Sequence, residues 1–77
     1  MKEAYLVNAH EQSKKFYIIA LIKKGGRLLV KGTWGRIGME PRSQIKYEGE
    51  NPIQAQREFN KVLNTRFNHG YDLISSK

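Results

Sequence analysis

The 77 residues contain no cysteine, so neither a disulfide framework nor a thiolate metal site is available, and the chain suits a reducing compartment. His10 and His69, the two histidines, stand at opposite ends of the sequence, which argues against a metal centre. We expect no metal and no cofactor. Acidic residues are scarce: 7 Asp plus Glu face 14 Lys plus Arg, a formal net charge of +7. Long apolar runs are missing too. The longest, Phe16 to Ile22, falls far short of the roughly 20 residues that cross a bilayer, and no cationic leader with a small-residue cleavage site opens the chain. The sequence therefore reads as soluble and intracellular, without a membrane partner. Catalytic signatures are equally lacking. No serine sits in a Gly-x-Ser-x-Gly elbow, and Gly32, Gly35 and Gly38 do not form a phosphate loop opening a helix. Glu48 and Glu50 read as polar surface rather than as an acid/base pair, so no enzymatic activity is expected.

What is present is enough for one small domain spanning residues 1–77. Hydrophobic residues make up 39% of the chain, too many for a disordered basic tail. Ala4 to Asn8 reads as a short first strand and Ala9 to Ser13 as a turn. Lys15 to Lys23 is rich in β-branched and aromatic residues and reads as a second strand, joined through Gly25 and Gly26 to a third that begins at Leu28. Glu40 and Pro41 end that strand, and Gln44 to Tyr47 forms a fourth at an edge. Asn51 then caps a helix with Pro52 in its first position and Gln54 placed for a capping box. Ala55, Phe59, Val62, Leu63 and Phe67 line one stripe of that helix, and Asn68, His69 and Gly70 close it. Tyr71, Leu73 and Ile74 pack beyond it, and Ser75 to Lys77 is expected to fray. The fold class is α+β: a curved antiparallel sheet of about four strands, ordered β-β-β-β-α, packed against one C-terminal helix.

One helix covers one face of a sheet, yet the second strand is apolar on both, with Phe16, Ile18, Ala20 and Ile22 on one side and Tyr17, Ile19 and Leu21 on the other. Either the sheet curls around its second face or Tyr17, Ile19 and Leu21 form an exposed patch. The curl is the expectation.

The functional clue is the run Lys31, Gly32, Thr33, Trp34, Gly35, Arg36, Ile37, Gly38, which holds the single tryptophan. Strict alternation puts Trp34 on the face of Leu28 and Val30, in the core. A bulge at Gly32 would turn it to the opposite face. With glycines clearing the space around the ring, we expect it partly exposed, able to lie against a sugar or a base, while Arg36 forks onto a phosphate. The alternative for Arg36 is a surface ion pair with Glu40 or Glu48. Lys23, Lys24 and Arg27 cluster at the hairpin turn, Lys31 follows, and Arg42 and Lys46 lie beyond the tryptophan loop; these six can form one basic stripe. Solubility and edge protection are the other uses of such lysines.

The segment Trp34, Gly35, Arg36, Ile37, Gly38 resembles the signature of the WGR domain family, found in poly(ADP-ribose) polymerases and bacterial regulator-like proteins. Lys46 and Tyr47 match the family's basic residue and aromatic in its last strand, Ala55 and Phe59 the spacing in its helix, and Gly70 with Tyr71 its closing pair. The resemblance covers nearly the whole chain. It implies a curved antiparallel sheet on one helix, and a module that recognises DNA ends or breaks with the motif tryptophan, here Trp34, against the terminal sugar. In the family the motif arginine also serves an interface with a neighbouring domain, a role open to Arg36. One departure concerns Thr65, Arg66, Phe67, Asn68 and His69, which replace a lysine-rich helix end. The sequence thus points to a non-catalytic nucleic-acid-binding module, DNA favoured over RNA, using Trp34, Gly35, Arg36, Lys31, Arg27, Lys23, Lys24, Arg42 and Lys46. The rival reading is a protein-interaction module of a larger regulatory or repair protein, with Trp34 and Arg36 as its anchors.

Overall fold

Among the described residues, alternating side chains and glycine turns yield five strands and one helix: β1 (Lys2–Asn8), β2 (Lys15–Lys24), β3 (Arg27–Arg36), β4 (Arg42–Gly49), α1 (Pro52–Asn68) and β5 (Asp72–Ser76). The computed structural model describes residues 2–10 and 14–77, so part of the expected turn over Ala9 to Ser13, at 11–13, lies outside the described residues. All strand pairs are antiparallel, in the order β4-β3-β2-β1-β5. Lys24 pairs with Arg27 across Gly25 and Gly26, whose φ values of 57° and 79° are those of a two-residue turn with left-handed conformation at both centres.

The fifth strand corrects the expectation of a frayed end. Lys77 and Glu3 exchange backbone hydrogen bonds of 2.8 and 3.0 Å, and Leu73 stands opposite Leu6. The sequence hid this strand because DLISS lacks sustained alternation and every one of its residues is exposed. Its pairing places β1 inside the sheet and leaves β4 and β5 at the edges.

Asn51 caps α1 as expected, its side-chain oxygen accepting from the backbone N–H groups of Ile53 and Gln54 at 3.0 and 3.2 Å. The capping box is not closed by Gln54. The backbone N–H of Asn51 donates instead to the Tyr47 hydroxyl at 3.4 Å, which ties the helix start to β4. Asn51→Ala should therefore lower stability by about 1 kcal/mol, checked by urea unfolding at a constant slope.

The helix lies on β2, β3 and β4. The buried core beneath it is Ala4, Leu6, Tyr17, Ile19 and Val30 from the sheet, with Ala55 and Phe59 from the helix. Tyr17, Ile19 and Leu21 thus lie on the face that the helix covers, where the expectation had a curl of the sheet covering them, and the alternative of an exposed patch does not arise. The second face carries Tyr5, Phe16, Ile18, Ala20 and Ile22, which are partly buried against one another, as in the Tyr5–Phe16 ring contact at 6.5 Å. No helix or strand among the described residues lies over it.

The helix stripe also differs at its end. Phe67 is 42% exposed, and Arg66, seven residues beyond Phe59, takes the inward position. Asn8, a buried polar residue, donates its side-chain amide to the carbonyl of His69 at 3.2 Å and accepts from the backbone N–H of His10 at 3.1 Å. This fixes the C-terminal end of α1 to β1, and so brings Arg66 and Tyr71 over the sheet near Trp34.

Candidate nucleic-acid interface

Trp34 obeys strict alternation: Val30, Gly32 and Trp34 share the helix-side face, and the flip that a bulge at Gly32 would have produced does not occur. The register shift in this part of the sheet falls between Val30 and Lys31, where β4 carries the extra residue Lys46. Gly32 has another purpose. A Cβ there would collide with the hydroxyl end of the Tyr17 ring, so the missing side chain is what lets that ring lie flat over β3.

Even so, Trp34 is only half-buried, because it stands near the end of β3 beyond the cover of the helix. Its cross-strand partners are Tyr17 on β2 and Arg42 on β4. The indole stacks on Tyr17 with ring centroids 5.9 Å apart and planes 11° from parallel. On the β4 side, the Lys46 ammonium lies 5.5 Å from the indole centroid and hydrogen-bonds to the Gln44 side chain at 2.9 Å. Tyr17 in turn meets Tyr71 edge-on, and the Arg66 guanidinium sits 4.9 Å from the Tyr17 ring and 5.6 Å from that of Tyr71. A row of aromatic rings is thereby bounded by a cation at each end. Exposed cation–π contacts of this kind contribute only about 0.5–1 kcal/mol, so Lys46 can leave the indole for a better partner.

Gly35 lies against the returning chain, where a Cβ would stand 3.4 Å from the Pro41 backbone, close to ordinary contact. The groove beside the ring is lined by Trp34, Gly35, Lys15, Arg36, Arg42 and Tyr71, with Glu40 as the acid on its rim. A smaller recess on the helix side is lined by Tyr17, Trp34, Lys46 and Arg66. Among the described residues no ion pair holds Arg36 to Glu40 or Glu48; Glu48 pairs with Arg27 instead.

The predicted basic residues divide into three places. Arg36, Arg42 and Lys46 gather with Gly35 around Trp34. Lys31 pairs with Ala20 and Ile45, on the face away from the helix. Lys23, Lys24 and Arg27 stand at the far end of the hairpin, about 23 Å away at strand spacing, and Arg27 is engaged by Glu48 at 3.2 Å and Glu50 at 3.9 Å. The single stripe of six is thus divided: Arg42 and Lys46 lie beside the indole, Lys31 on the opposite face, and Lys23, Lys24 and Arg27 at the distant turn. Strand pairing, which the sequence did not fix in three dimensions, separates them.

Arg66 is the residue that sequence reasoning missed. Its Nε is buried and makes no hydrogen bond, while its guanidinium spreads over two tyrosine rings. The signal lies in the helical period, which puts residue 66 on the stripe of Ala55, Phe59 and Val62, whereas apolar residues alone extend that stripe to Phe67.

Burial raises the pKa of the Tyr17 hydroxyl above its ordinary value of 10.0, with Arg66 pulling in the opposite direction and Tyr71 adding to the rise. In the pH interval between the unfolded value and the higher native one, the unfolded chain releases this proton and the folded chain keeps it. Stability is therefore expected to fall as pH climbs through and above 10, and Tyr17→Phe should flatten that fall. Thermal unfolding across this range, with tyrosinate absorbance followed in parallel, checks it.

The WGR domain model matches residues 3–77. No curated protein and no solved structure matches the chain.

Proposed function

Because the chain belongs to the WGR domain family, a nucleic-acid-binding type of module in larger proteins, we propose that it binds DNA at ends or breaks without catalysis, through Trp34 and the cations around it. The observation that carries this reading is the half-buried indole with Tyr17 behind one face and the cations Arg36, Arg42 and Lys46 along its open side. The phosphates on either side of a nucleotide laid against the ring meet Arg36 and Arg42 in the groove, and Lys46 with Arg66 in the recess. Since these contacts are to sugar and phosphate, little sequence preference is expected.

Titration of blunt or nicked duplex at several salt concentrations tests this. With about three to five phosphates neutralised, log affinity should fall against log salt with a slope of about −0.9 per phosphate. An affinity that ignores salt would reject the electrostatic part, and binding to an acidic peptide without binding to DNA would favour the protein-interaction reading.

A further inference from the structure

The chain beyond Trp34 turns back through Arg36, Ile37, Gly38 and Met39. The backbone N–H of Met39 donates to the carbonyl of Arg36 at 3.0 Å, and Gly38 has φ 90°, as the third position of a type II turn requires. A second hydrogen bond, from the N–H of Ile37 to the carbonyl of Lys14 at 3.0 Å, anchors the turn to the segment before β2. The turn is therefore held in place. At its tip it presents two apolar side chains, Ile37 at 52% and Met39 at 66% exposure, and Met39 lines the same groove as Trp34, Arg36 and Arg42.

Scattered exposed apolar residues need no explanation, but these two stand on an anchored turn beside cations and an indole. Neither can contact a phosphate favourably. Both suit the flat apolar face of a base, and in continuous duplex that face is closed by stacking, so reaching it costs a few kcal/mol. At an end or a gap one face of the last base pair is already open, and at a nick it opens more easily than in continuous duplex.

We propose that Ile37 and Met39 form a wedge that rests on the exposed face of the base pair at a DNA break, next to the nucleotide held by Trp34. The wedge rests on the DNA reading above and adds the element that tells a break from unbroken duplex. Phosphate contacts supply affinity for both forms. The turn supplies a contact that only the broken form can make.

The test compares wild type with the Ile37→Ser, Met39→Ser double variant and with Ile37→Leu, Met39→Leu. Each is titrated by fluorescence anisotropy against a short blunt duplex and, in competition, against a covalently closed circular duplex. Ile37 and Met39 are both exposed, so thermal unfolding of either variant should remain close to wild type. The serine variant is expected to lose about tenfold in affinity for the blunt duplex with little change for the circle, and the leucine variant to retain end preference. A serine variant with wild-type end preference would overturn the wedge while leaving the DNA reading intact, and equal loss on both DNAs would also overturn it. Wild-type protein that binds neither DNA would overturn the DNA reading itself, and the turn would then be assigned to a protein contact.

Discussion

Trp34→Ala is expected to weaken binding to blunt or nicked DNA by roughly tenfold to a hundredfold, the range that stacking on a single nucleotide supports. Affinity for closed circular duplex should change much less. The asymmetry follows from the geometry. One face of the indole is committed to Tyr17 at 5.9 Å, and Lys46 of β4 overhangs the ring from the other strand. A ring with one open face takes one nucleotide, and a terminal sugar or base reaches it without being pulled from a stack on both sides. The same substitution also removes part of the packing on Tyr17, so stability must be measured beside affinity. Trp34→Phe separates the two effects: it keeps an aromatic ring against Tyr17 with less area for the ligand, and should bind ends with intermediate affinity. Equal loss at ends and at internal sites would speak against end recognition.

The second large effect is structural. Gly32→Ala should destabilise the fold by about 1–3 kcal/mol, because the added methyl group occupies the place of the Tyr17 hydroxyl. Tyr17 has little room to yield, being packed between the Trp34 ring and the Arg66 guanidinium. Displacing it should disturb the indole, so a loss of near-UV circular dichroism and a shift of Trp34 emission should accompany the fall in unfolding temperature. A Gly32→Ala protein with wild-type stability and spectrum would show that the glycine does not serve the ring stack.

Much of this was legible from the residues. The hairpin at Gly25 and Gly26, the cap at Asn51 and the inward stripe of Ala55 and Phe59 all rest on local chemistry, and each stands where expected. Trp34 was read both as a core residue and as a partly exposed one, and it stands on the core face with its ring half-buried. What the sequence could not supply was long-range pairing. β5 joins β1 across the whole chain, the helix selects the Tyr17 face of β2 over the Phe16 face, and the hairpin length carries Lys23, Lys24 and Arg27 away from the indole. Arg66 was missed for a related reason. A guanidinium on an apolar stripe conflicts with local hydrophobic patterning, and only the two tyrosine rings brought by β2 and the segment after α1 make it a stable neighbour.

The most direct measurement is the emission of Trp34 during titration with nicked duplex at moderate salt, with closed circular duplex and an acidic peptide as comparisons, since this single tryptophan reports on itself. A saturable change in emission is expected with the nicked DNA, larger than with the circle and weakening as salt rises. Emission that stays constant with every DNA while the peptide alters it would rule out a nucleotide contact at Trp34 and give the indole to a protein partner.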